Sequence, residues 1–100
     1  SSSSRGLGDV YKRQELGLCN KVVPGEELIP SVMEWAVRLA TGPTKAHMFT
    51  KWLVNRSLDV DRRTITEEES WAVELNNGTL DAQEGVNSFR ERRDPNWRGF

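Results

Sequence analysis

Phe89 and Arg92 stand three residues apart in a stretch with helical periodicity, which sets an aromatic ring beside a guanidinium on neighbouring helix positions. A guanidinium can fork onto phosphate oxygens and a ring offers a flat apolar wall, so this pair has the parts of an anion site. The plainer reading of the same residues is a core phenylalanine followed by ordinary surface charges at Arg92 and Arg93. Lys51 could reach another phosphate, but on an amphipathic helix it reads as a solvated lysine. His47 is the sole histidine, and no cysteine, serine or second histidine accompanies it at ligand or triad spacing, so it is assigned neither a metal nor a catalytic role. Glu67, Glu68 and Glu69 read as a solvated helix start rather than as proton carriers. Cys19 lies in an apolar run and reads as a small buried hydrophobe. No catalytic residue emerges from this inventory.

The elements that must hold these residues follow from apolar spacing. Leu16, Leu18, Val22 and Val23 surround Cys19 and end at Pro24-Gly25, the pattern of a short strand-like lead closed by a turn. Leu28, Ile29, Val32, Trp35, Ala36, Leu39 and Ala40 then recur at three and four, predicting a helix with Pro30 in its first turn. Gly42 is expected to end it in a left-handed conformation and Pro43 to open the next helix. That second helix, about 44–58, would bury Ala46, Phe49, Trp52 and Leu53. Thr64-Ile65-Thr66-Glu67 has the form of a capping box for a third, with Ile65, Trp71, Ala72 and Leu75 as its stripe. Asp81-x-x-Glu84 would cap a fourth, with Ala82, Val86 and Phe89 inward and an end before Pro95. The expected class is mainly α: a strand-like lead followed by four helices.

Composition narrows the partners. The net charge of -1 gives no basic face to release counterions from nucleic acid or to meet anionic lipid, so neither is expected as a partner. No apolar stretch is long enough to span a bilayer. A single cysteine and no secretion signal point to a reducing, cytoplasmic setting. In that setting the triplets Asn55-Arg56-Ser57 and Asn77-Gly78-Thr79 carry no glycosylation meaning. A chain of 100 residues buries a modest fraction of its surface and is marginal alone.

Residues 1–14 contain a serine run, two glycines and basic residues without apolar period, so they are expected to be disordered. Residues 4–14 resemble an in-frame translation of a transposase adapter used in sequencing libraries. They are read as a non-native leader and set apart from the fold. The remainder, 15–100, is then expected to be a piece of a longer domain.

Three further segments, in order, resemble the end of the enoyl-CoA hydratase/isomerase (crotonase) family. They are Gly17-Leu18-Cys19-Asn20-Lys21-Val22-Val23-Pro24, Gly42-Pro43 through Thr50-Lys51 to Asn55, and a closing run of Asp81, Glu84-Gly85, Phe89, Glu91-Arg92-Arg93, Pro95, Trp97 and Gly99. Cys19 stands where valine is commoner and Arg92 where lysine is commoner. The resemblance implies that 15–100 is the C-terminal helical region of a crotonase-like ββα spiral fold, an incomplete domain. It implies a parent enzyme, a hydratase or isomerase, acting on acyl-CoA thioesters. Coenzyme A would enter as part of the substrate, and no cofactor would be permanently bound. Two backbone N–H groups would stabilise an enolate-like oxyanion while one or two carboxylates move protons. Those elements belong to an earlier segment of the family, so none is assigned here. The helices would pack in a homo-oligomer, a trimer or hexamer. By position, Phe89 and Arg92 would reach the adenine and 3′-phosphate end of CoA bound by an adjacent subunit. The alternative is a freestanding helical protein-interaction module without catalysis, which would bury all its tryptophans.

Overall fold

A computed structural model of the chain describes residues 11–100. There is no strand among the described residues; after a short helical stretch at 11–15 come α1 Leu28–Ala40, α2 Thr44–Arg56, α3 Arg62–Asn77 and α4 Leu80–Glu91. The chain divides into two compact units, Ser1–Trp35 and Ala36–Phe100.

In the first unit the expected disorder over 1–14 falls mostly on residues outside the described range, and the rest of it is corrected. Residues 11–15 are helical. Lys12, Arg13, Gln14 and Glu15 are all good helix formers, and Gly17 at φ 77 closes the turn. The Leu18 N–H reaches back to the Arg13 carbonyl at 2.9 Å, the long bond of a glycine-terminated helix end. The strand-like lead is corrected too. From Leu18 to Pro24 the chain has no regular structure, since apolar residues make a strand only where a neighbouring strand accepts their N–H groups. Pro24 then leads a 3₁₀ turn, Gly25–Glu27, into the start of α1.

In the second unit α2 packs on α3 and α3 on α4. Gly42 follows α1 as expected, but for a different reason. Its φ is not among the positive ones, and a Cβ there would lie 2.6 Å from His47 Nε2 and 3.3 Å from the Arg38 carbonyl. Lack of space, rather than a left-handed backbone, calls for glycine at this buried position. Pro43 stands just before α2 as its cap, one place earlier than predicted.

Both expected caps of the later helices move. The N-cap of α3 is Asp61, whose Oδ1 accepts the Thr64 N–H at 2.8 Å. Thr64 therefore donates to a cap instead of being one. Starting three residues sooner places Glu67, Glu68 and Glu69 beyond the first turn, which holds no acidic residue. Glu68 pairs with Arg56 at 3.1 Å instead. The N-cap of α4 is Thr79, whose hydroxyl accepts the Ala82 N–H at 3.0 Å.

Packing is thin. The buried apolar core among the described residues is Ala72, 6% exposed; Ala46, Phe49, Leu53 and Ile65 are half-buried, while Trp52 and Trp71 remain largely in solvent. On α4 the expected inward face holds only at Ala82, which is half-buried; Val86 and Phe89 are exposed, and Asp81 and Ser88 are buried instead, with Glu84 and Gly85 half-buried.

Replacing Thr79 with alanine removes the only side-chain acceptor at the start of α4 and should destabilise the second unit by about 1 kcal/mol. A shifted urea midpoint with an unchanged slope checks this.

Candidate functional site

The C-terminal end of α4 gathers the residues singled out for anion binding. After Glu91 the backbone of Arg92 turns left-handed, φ 54 and ψ 46. Its N–H donates to the Phe89 carbonyl at 3.3 Å, and the Arg93 N–H reaches the Ser88 carbonyl at 3.0 Å. This is the helix ending that Gly17 makes earlier, here with arginine in the glycine place. L-residues other than glycine and asparagine seldom enter this region because Cβ crowds the carbonyl. Phe89 and Arg92 therefore do not share a regular helix, as their spacing predicts: Phe89 is on α4 and Arg92 stands just past its end.

Phe89 is 86% exposed, so it is not a core residue of this chain. Arg92 is exposed and makes no ion pair among the described residues. Arg93, by contrast, is fully occupied. Its guanidinium forks onto both Glu84 oxygens, one at 3.2 Å, and also meets Glu91. Of the two adjacent cations, only Arg92 keeps its donors for a ligand.

Beyond Arg93 the chain doubles back along α4, held by carboxylates on successive turns. Glu84 Oε1 accepts the Asn96 N–H at 2.9 Å. One turn earlier, Asp81 accepts the Arg98 and Gly99 N–H groups at 2.7 and 2.8 Å, and its own N–H donates to the Phe100 carbonyl at 3.0 Å. Trp97 lies over Gly85, where a Cβ would meet its ring at 3.3 Å. Sequence alone reads Asp81 and Glu84 as a helix cap. The tail that claims them is joined to them only by the turn at Arg92.

The electrostatics follow from these bonds. The Arg93 guanidinium, and next the Asn96 N–H, hold the Glu84 carboxyl down from 4.5 to about 2. The same pair with Glu84, and then Glu91, raises Arg93 above the ordinary arginine value. A depressed carboxyl stabilises the folded tail above pH 4.5, and that contribution is lost as pH falls through about 2.

The remaining candidates lie apart from this cluster or are structural. His47 packs its ring against Gly42, Lys51 is exposed on α2, and Cys19 is half-buried with a free thiol. No group of three or more potential metal ligands occurs among the described residues. An apolar groove of about 470 Å³ runs between α2 and α3, lined by Met48, Phe49, Trp52, Trp71 and Leu75. Its one charged lining group, Glu68, is tied to Arg56. The groove can pack against apolar matter but holds nothing to catalyse with. No helix among the described residues is long and apolar enough to cross a membrane.

Comparison with known proteins agrees with the closing motif. A family model for enoyl-CoA hydratase/isomerase matches residues 8–99, beginning inside the segment that resembles an adapter. A probable mitochondrial enoyl-CoA hydratase of Dictyostelium discoideum is 32% identical over 84% of this chain and 30% of its own length. A crotonyl-CoA hydratase of Syntrophomonas wolfei is 34% identical over 82% of this chain and 32% of its own. A crystal structure of an enoyl-CoA hydratase from Geobacillus kaustophilus superposes with a TM-score of 0.83 at 30% identity, covering 90% of this chain and 34% of that one. The chain thus spans about a third of the length of the relatives it matches. With the helical order, the Glu-Gly pair on α4 and the doubled-back tail in place, this chain belongs to the enoyl-CoA hydratase/isomerase family.

Proposed function

We propose that this chain is the C-terminal helical part of an acyl-CoA hydratase or isomerase, and that Phe89 and Arg92 bind the nucleotide end of a CoA thioester held by an adjacent subunit. One observation carries the reading: an aromatic ring left 86% exposed beside an arginine that occupies a glycine-type backbone position with its guanidinium unpaired. Neither choice serves the stability of this chain. A ligand that stacks its adenine on Phe89 and offers phosphate oxygens to Arg92 would account for both. The helices would cover the rest of the enzyme and pack in a homo-oligomer, a trimer or hexamer. The exposed tryptophans of α2 and α3 support that reading, since each places a large apolar surface where another body must cover it. Proton transfer and oxyanion stabilisation would come from an earlier segment, and no residue of this chain is assigned to them. The setting is a reducing one, taken here as cytoplasmic, where Cys19 has no second cysteine to join.

The test is kinetic. In the complete protein, Phe89→Ala and Arg92→Glu should each raise KM for acyl-CoA by roughly tenfold, the scale of one hydrogen bond to a charged group, with a much smaller change in kcat. An unchanged KM in both variants rejects the assignment. Arg92→Gly separates ligand from fold. It should stabilise the protein by about 0.5–1 kcal/mol through relief of the left-handed backbone, yet still raise KM.

The other reading, a freestanding interaction module, requires buried tryptophans. Trp52 and Trp71 are 49% and 70% exposed. The isolated chain should therefore bind a hydrophobic dye and unfold without a sharp transition. A two-state melt with no dye binding would support the module instead.

A further inference from the structure

Two local bonds close the left-handed turn at Arg92, a long one of 3.3 Å from its own N–H to the Phe89 carbonyl and one of 3.0 Å from the Arg93 N–H to the Ser88 carbonyl, against the cost of a left-handed arginine. The other bonds that keep the chain reversed lie further along it. Asn96 returns to Glu84 across twelve residues, and Arg98 and Gly99 return to Asp81 across seventeen and eighteen. Asp81 is 3% exposed and makes three hydrogen bonds to the tail. Release of either carboxylate removes part of what holds the tail on α4. Arg92 could then relax to right-handed backbone, moving its side chain relative to Phe89.

From this, and resting on the nucleotide-binding reading above, we infer that Glu84 and Asp81 are positioning residues: by tying the tail to α4 they hold Arg92 in the turn from which it meets phosphate. Neither touches the ligand. Both are carboxylates, whose direct contact with an anion would be unfavourable. Their effect runs through backbone geometry, and Glu84 also keeps Arg93 occupied, so that one cation rather than two faces the ligand.

The experiment compares Glu84→Gln, Glu84→Asp, Asp81→Asn and Arg92→Glu in the complete protein. It measures KM and kcat for an acyl-CoA, the inhibition constant of adenosine 3′,5′-bisphosphate, and the melting temperature. Positioning predicts that Glu84→Gln and Asp81→Asn raise both KM and the inhibition constant about tenfold, the scale of a small misplacement of a binding group, and affect kcat less. Glu84→Asp, which keeps the charge, should recover part of the loss. A merely structural role would lower the melting temperature and the active fraction, hence apparent kcat, and leave KM and inhibition in place. That outcome, with Arg92→Glu still raising KM, overturns the inference and spares the nucleotide-binding reading. If Arg92→Glu itself changes nothing, the reading falls and the inference with it. Should Asp81→Asn fail to fold, the half-exposed Glu84 decides the matter alone.

Discussion

A buried carboxylate cannot stand in a protein unless hydrogen bonds replace the water it has lost, and Asp81 meets that demand with the backbone of the chain's own tail. Two N–H groups, from Arg98 and Gly99, end on its oxygens, and its own N–H is taken by Phe100. Through this exchange an irregular segment with no secondary structure of its own becomes a fixed strap along α4. Glu84 repeats the arrangement one turn later, with Arg93 and Asn96 as its donors. Gly85 and Ser88 are small because the strap and Trp97 must lie close to the helix between them. Thr44, at the start of α2, lies beside Gly99, where a Cβ would meet its hydroxyl at 3.3 Å, so the strap also borders a second helix.

This polar strap carries unusual weight because the apolar core is so small. Hydrophobic residues are 36% of the sequence, yet Ala72 is the one buried apolar side chain among the described residues. The tryptophans, leucines and methionines of α1, α2 and α3 are displayed, not enclosed. The chain matches about a third of the length of these relatives. Its amphipathic helices leave much of their apolar side exposed.

The four helices after residue 24 were legible from residue spacing. The caps of the last two were not. A threonine three residues before a glutamate satisfies the capping pattern at Thr64, but Asp61 lies just upstream and its carboxylate accepts the Thr64 N–H, which starts the helix earlier. Thr79 outcompetes the Asp81 pattern in the same way, and Asp81 is thereby released for the tail. The aromatic and cationic pair at Phe89 and Arg92 was visible as a pair, though its geometry was read as two places on one helix. Helix formation over 11–15 was hidden by low-complexity composition on its N-terminal side, although Gly17 marked its end.

What the amino-acid order determines by itself is local: apolar periods, good and poor helix formers, glycines and prolines near the joins, and a closing motif specific enough to name a family. Those are decided by residues within a few positions of one another. Tertiary structure decided the rest. Which side of α4 faces inward and which of the adjacent cations Arg92 and Arg93 stays free depend on groups brought together from nine to eighteen residues apart. A carboxylate's choice between a nearby cap and a distant tail is settled by solvent exclusion, which exists only once the chain has folded.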